Sequence, residues 1–250
     1  MTIETPLSSK SSGYAASPAD WSNFLDCWRE TLRHRPHDLP KDQFGVPVFS
    51  MMATYRKGSQ KNSSSDSDAA LKSIEQLQVK LNVVLPPSYV DFVIAFGPTA
   101  FPEVIPDTDS HARGFYPLEE VDFMKRRRPD IVEIEESYPR DSGSEKYFVY
   151  GTKQDDVAVR TKYYRNAIVV GAYSKHELLL LNPVVKTQDG EMEAILLMHS
   201  SSFRAPSFAE LVRQVSVAET VDVKRSPPYP QEKLIGTCAS KLPMKNIWWE

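Results

Sequence analysis

Asp107-x-Asp109-x-His111 sets two hard oxygen ligands and an imidazole at alternating positions, which is how a calcium loop begins. Such a loop needs glycine at its sixth position and glutamate at its twelfth, and Ala112 and Leu118 stand there instead. A turn rich in capping residues accounts for the same segment. His34-x-x-His37 has ligand-like spacing, but Pro36 between them disfavours a helical pair. No metal site is expected. Lys125-Arg126-Arg127-Arg128 is a cationic run suited to phosphate. As the last turn of a helix it also complements the helix dipole, and the acidic 130–136 stretch neutralises it. The adjacent pairs Glu119-Glu120, Glu135-Glu136 and Asp155-Asp156 face different ways, so none can share a proton as a catalytic dyad does. None of the five histidines lies near a plausible nucleophile. The chain contains no G-x-G-x-x-G, no G-x-x-x-x-G-K-[ST], no H-E-x-x-H and no G-x-S-x-G. Neither an enzyme nor a cofactor is expected.

Bulk composition narrows the classes further. The 250 residues are 41% hydrophobic, enough for a large core, and the length suggests one domain with extensions. The net charge of −3, from 30 basic and 33 acidic residues, lacks the basic excess of a general nucleic-acid binder. Two cysteines, Cys27 and Cys238, with no C-x-x-C, argue against a disulfide framework or a zinc ribbon and make a reducing compartment the default. Residues 1–20 show no basic-then-apolar signal pattern, and no apolar run spans a bilayer. A soluble cytoplasmic protein is expected.

The elements that must carry any site follow from periodicity. Leu71, Ile74, Leu77 and Leu81 form one helical stripe behind an N-cap at Ser67 or Asp68. Pro86-Pro87 ends that helix and starts another, with Tyr89, Phe92, Val93 and Phe96 as its stripe and Gly97 as a positive-φ C-cap. Upstream, Trp21, Phe24, Leu25, Trp28 and Leu32 define a short amphipathic helix that packs back on the main domain; the rival reading makes it a partner-docking helix. Val46 to Met52 reads as a strand, and 57–68 as a polar linker. Residues 97–114 read as a long loop, 114–116 as a short strand, 117–128 as a helix, and 130–146 as acidic and then turn-like. From 147 the runs KYFVYG, DVAVRT, NAIVVGAY, ELLLLNP and EMEAILLM read as strands, the last two paired across Asp189-Gly190. Ser207-x-x-Glu210 caps a final helix with Phe208, Leu211, Val212 and Val215 inward. Residues 219–250 read as an extended tail anchored by Trp248 and Trp249. The fold class is α+β: an antiparallel or mixed sheet of about five to six strands covered by helices. The expected divisions are an extension (1–66), the main domain (67–216) and a proline-containing tail (217–250).

Ile74-Glu75-x-Leu77-x-x-x-Leu81 followed by Val84-Leu85-Pro86-Pro87-Ser88-Tyr89-x-x-Phe92 resembles the opening signature of the SUKH superfamily. That superfamily includes the fungal cell-wall-synthesis regulator and many bacterial immunity proteins of polymorphic toxin systems. Pro117 to Val121 resembles its short helix after the first strand, and Leu178 to Asn182 with Gly190-Glu191 resembles its strand pair. Ser207-Phe208-x-Glu210-Leu211 resembles its closing helix, so the likeness covers 67–216. Two loops depart from the pattern: Phe96-Gly97-Pro98 replaces an Asn-Gly, and Ala172 to His176 replaces a glycine- and aspartate-rich turn. The fold survives such changes; partner specificity does not transfer.

The resemblance implies an immunity protein of bacterial competition, a non-enzymatic inhibitor that occludes a cognate toxin domain, a nuclease or deaminase. No cofactor, no membrane and no direct nucleic-acid contact are expected, from the missing motifs, the lack of an apolar run and the charge balance. The alternative is a regulatory interaction scaffold of the fungal type, docked through the Trp21/Trp28 helix. Toxins that act on nucleic acid carry basic clefts, so acidic side chains would steer association. The expected partner-binding residues are Asp130, Glu133, Glu135, Glu136, Asp155 and Asp156, with Tyr163 and Tyr164 as aromatic anchors.

Overall fold

A computed structural model describes residues 10–34, 51–54, 64–97, 114–139, 145–154, 159–173, 177–198, 201–221 and 226–245. Its central feature is a hairpin. Strand β4 (Leu178–Lys186) pairs antiparallel with β5 (Met192–Leu197) across a turn that uses Gly190 at φ +82°. Strand β3 (Ile168–Ala172) joins β4, and β6 (Ser202–Ala205) joins β5. The short strands β1 (Gly114–Phe115) and β2 (Asp122–Phe123) both pair with β3. All these pairings are antiparallel, giving an open six-stranded sheet among the described residues. Gly171 sits at a register shift in β3, where an added Cβ would lie 2.8 Å from the Gly114 carbonyl oxygen.

Alternate residues of each strand enter two different cores. Ile168, Val170, Leu179, Leu181, Ala194 and Leu196 face one cluster; Val169, Leu178, Leu180, Ile195 and Leu197 face the other. Burial on both faces explains why the strands read as continuous leucine and valine runs. The first face is covered by helices α1 (Pro18–His34), α2 (Ser64–Leu81), α3 (Pro87–Phe96) and α7 (Phe208–Thr220). The second is covered by α4 (Met124–Arg127), α5 (Pro129–Ser137), α6 (Thr161–Tyr164) and the segment 145–154. A short helix α8 (Gln231–Leu234) lies against the end of α7.

Most sequence expectations about the helical layer hold. Pro87 opens α3, and Gly97 at φ +79° ends it with its N–H donating to the Val93 carbonyl at 3.1 Å. Phe92 is the hub of an aromatic cluster, with ring centroids 5.3 Å from Trp21, 4.5 Å from Phe115 and 5.0 Å from Phe208. Trp21 and Trp28 are 0% exposed, so α1 packs on the domain and the docking-helix reading fails. Ser207 accepts from the Glu210 N–H at 3.2 Å, but the Glu210 carboxylate turns to Arg213 and Gln214 instead of closing the capping box.

Several expectations are corrected. Helix α2 begins at Ser64, ahead of the expected cap, and Leu71 lies 43% exposed, outside the buried stripe of Ile74, Leu77 and Leu81. The expected helix 117–128 is broken into a 3-10 turn (Leu118–Glu120), β2 and α4, because Asp122 and Phe123 pair with β3. KYFVYG is a 3-10 turn over Glu145–Phe148, since Tyr147 and Tyr150 point inward to buried polar partners. The stretch read as acidic and turn-like contains α5, and β6 was not expected as a strand. Met51–Thr54 is a 3-10 turn; 46–50 and 57–63, most of 97–114, 156–158 of DVAVRT, and Trp248-Trp249 lie outside the described residues. Cys27 and Cys238, expected as thiols of a reducing compartment, are bonded to each other across 211 residues. No helix among the described residues is long and apolar enough to cross a membrane.

Candidate protein-interaction surface

Two buried carboxylates organise the polar interior. Glu191 follows the hairpin turn and accepts from the Ser88 N–H (2.7 Å) and hydroxyl (2.5 Å) at the start of α3. The Ser88 hydroxyl in turn accepts from the Ala209 N–H at 3.3 Å, in the first turn of α7. Ser88, Gly190-Glu191 and Ser207-Phe208, scattered in sequence, therefore meet at one node where two helix N-termini reach the hairpin turn. Burial raises the Glu191 carboxyl to about 7, against the lowering effect of both Ser88 bonds. Asp189, two residues earlier, accepts from Ser11, Ser12 and Thr187 and ties residues 10–14 to the turn.

On the opposite face Glu193 accepts from Tyr147 (3.0 Å), Tyr150 (3.0 Å) and Asn182 (2.8 Å). Arg204 lies 3.7 Å from Glu193, stacks 3.9 Å from the Tyr147 ring centroid and donates to the Tyr147 carbonyl. Both charged residues are fully buried, and burial raises the Glu193 carboxyl despite Arg204 and its three other donors. Gln154 donates to the Arg204 carbonyl and accepts from its N–H, covering the free edge of β6. These groups fasten segment 145–154 to the sheet and offer nothing to solvent.

The exposed chemistry lies around α4 and α5. The basic quartet is committed: Arg126 pairs with Asp122 at 3.0 Å, Arg127 with Glu120, Arg128 with Asp130 at 2.8 Å, and Lys125 donates to Asn166 at 3.2 Å. Pro129 and Asp130 start α5, and Val132 is its buried contact. A residue two positions on is rotated roughly 200° about the helix, so Ile134 faces away from the core. Asp130, Glu133, Ile134 and Ser137 share one exposed stripe at i, i+3, i+4 and i+7, and Tyr138 follows at the C-cap, with Ile134 61% and Tyr138 73% exposed. Glu133 has no ion pair among the described residues.

The expected interface residues divide unequally. Asp130 and Glu133 lie on that stripe, and the Arg128 guanidinium holds the Asp130 carboxyl below its usual range. Glu136 is exposed beside it, lowered by its bonds to Arg165 at 2.6 and 2.8 Å, whereas Glu135 is half-buried. Asp155 and Asp156 lie outside the described residues. Tyr163 and Tyr164 are each 1% exposed in the second core, so they are packing residues and cannot serve as surface anchors. Ile134 and Tyr138, which sequence reasoning missed, are the exposed apolar groups of this region. Pro129-Asp130 ahead of Ile131-Val132 is the signal for a helix, and that helix turns Ile134 outward. His34 pairs with Glu30 at 2.7 Å, while His37, Asp107, Asp109 and His111 lie outside the described residues. No group of three metal-ligating side chains occurs among the described residues.

The SMI1 / KNR4 family (SUKH-1) sequence profile matches residues 68–214. This chain belongs to the SMI1/KNR4 family. The match runs from within α2 to within α7 and includes the Ser88–Glu191–Ser207 node of this SMI1/KNR4 domain. No curated protein and no solved structure matches the chain. The SUKH superfamily includes immunity proteins and fungal regulators, its members are generally non-enzymatic, and it suggests protein–protein interaction.

Proposed function

We propose that this SMI1/KNR4 chain is a non-catalytic inhibitor that binds a cognate toxin domain, a nuclease or deaminase, and occludes its active site. The observation that carries this reading is the outward stripe of α5. It joins carboxylates at Asp130 and Glu133 to an exposed Ile134 on the helix and an exposed Tyr138 at its C-cap. Acidic groups beside an aromatic anchor fit a basic, concave partner: the charges speed encounter, and the anchor slows release once water is expelled. The surrounding arginines are held by Asp122, Glu120 and Asp130, which limits the positive potential that would repel such a partner.

Binding of the full chain to the toxin domain encoded beside its gene tests the reading. Glu133→Lys is expected to slow association by about tenfold at low salt, with the difference shrinking as salt is raised, because screening acts over ~8 Å at physiological ionic strength. Tyr138→Ala is expected to speed dissociation instead. If both variants bind and protect like the native chain, the α5 interface is wrong.

A further inference from the structure

The described ends of the chain meet beside the helical layer. Tyr14 forms an isolated bridge with Met244, the Lys245 N–H donates to the Gly13 carbonyl at 2.6 Å, and Cys27 of α1 is bonded to Cys238. An added Cβ on Gly13 would lie 1.8 Å from the Lys245 carbonyl oxygen, so this approach requires glycine. Side chains of α7 hold residues 226–245: Gln231 donates to the Glu210 carboxylate at 3.1 Å. Arg213 donates to the Ala239 carbonyl at 3.0 Å, and the Gln214 amide exchanges two bonds with the Tyr229 backbone at 3.1 and 2.7 Å. Much of the segment's apolar contact is a small satellite cluster of Val217, Tyr229, Leu234 and Ala239, while Cys238 and Leu242 reach the main core. Helix α1 differs: Trp21, Phe24, Leu25, Trp28 and Leu32 all lie in the main core. The tail thus has a smaller apolar anchorage than α1, and elements with smaller buried anchorage open at lower free energy than the core.

We propose that the Cys27–Cys238 bridge is a thiol-operated clasp. Oxidised, it locks residues 226–245 onto α1 and α7. Reduced, that segment opens while the sheet, α1, α3 and the body of α7 stay folded. Cys27 is half-buried and Cys238 is 6% exposed, so attack by a small dithiol falls on the Cys27 sulfur. The S–S bond breaks, and Cys238 leaves as a thiolate and takes up a proton. The Thr31 hydroxyl donates to the Cys27 carbonyl at 2.9 Å and lies 3.4 Å from the Cys238 sulfur, so it can turn to donate to that thiolate by giving up the carbonyl. The reductant's second thiol then displaces Cys27 as a thiol. The protein gains two electrons and two protons, and the reductant departs as its own disulfide.

Hydrogen exchange on the full chain, with dithiothreitol as the probe, tests the clasp. After air oxidation no thiol should titrate, and after reduction both cysteines should. On reduction, amides of 226–245 should exchange at least about tenfold faster while those of β3, β4 and β5 keep their rates. A Cys27→Ser/Cys238→Ser variant without reductant should match the reduced native chain. Three results would overturn the proposal: two thiols in the oxidised protein, unchanged exchange at 226–245 after full reduction, or equal acceleration in β3–β5.

Discussion

Replacing Glu191 with glutamine removes a buried charge that the fold holds at a disadvantage. The Glu191 carboxyl is raised to about 7 in the folded chain from an ordinary value of 4.5, first by burial and further by Asp189 and Asp91 nearby. A raised acid contributes stability that is fully present below pH 4.5 and is lost as pH rises through 7. Of the full difference of about 2.5 units, at about 1.4 kcal/mol each, about 2–3 kcal/mol falls between pH 5 and 8, because the unfolded carboxyl is already largely ionised at pH 5. Glu191→Gln keeps the shape and an acceptor for the Ser88 N–H, but it does not titrate. Urea denaturation of both proteins at pH 5 and pH 8 measures the effect. The stability of the variant relative to the native chain should improve by about 2–3 kcal/mol between the two pH values. Glu193 and Asp91 are also raised and Asp189 is lowered, but all three remain in both proteins and largely cancel in the comparison. A relative stability that stays constant within about 0.5 kcal/mol across this range would refute the account of the node.

Arg204→Met should lower stability by about 3–5 kcal/mol in thermal or urea unfolding, because Glu193 is left buried without its counter-charge. Adding Glu193→Gln to that variant should restore much of the loss, since the isolated charge is then gone. Ser207→Ala removes the cap on the Glu210 N–H and should cost about 1 kcal/mol by urea unfolding. Trp21→Ala should cost about 3–5 kcal/mol and depress the unfolding temperature strongly, as expected of core rather than docking surface. Tyr138→Ala and Ile134→Ala, both exposed, should leave stability within about 0.5 kcal/mol, so that any binding loss reports on the surface.

Helices with a wide apolar stripe were legible from the sequence because their burial and their period agree. Phe208, Leu211, Val212 and Val215 are buried where spacing places them, and so are Tyr89, Phe92, Val93 and Phe96. The β4–β5 hairpin was equally plain from its two leucine-rich runs about Asp189-Gly190. Elements decided by tertiary partners were not legible. Residues 145–150 have the composition of a strand, but a buried Glu193–Arg204 pair takes both tyrosines and bends the backbone. Residues 117–128 have the pattern of a helix, but pairing with β3 divides them. The acidic segment was legible as charge, not as a helix, so its outward apolar residues were missed. Aromatic type alone suggested Tyr163 and Tyr164 as anchors, and only packing against the second face of the sheet reveals them as core.

On the proposed reading, an acidic, aromatic-tipped helix on an SMI1/KNR4 domain captures a basic toxin. The most direct test is protection of cells that express the toxin domain encoded beside the gene, comparing the native chain with a folded Glu133→Lys/Tyr138→Ala variant at equal abundance. The account predicts survival with the native chain and loss of protection with the variant. Full protection by the variant, or none by the native chain, would contradict it.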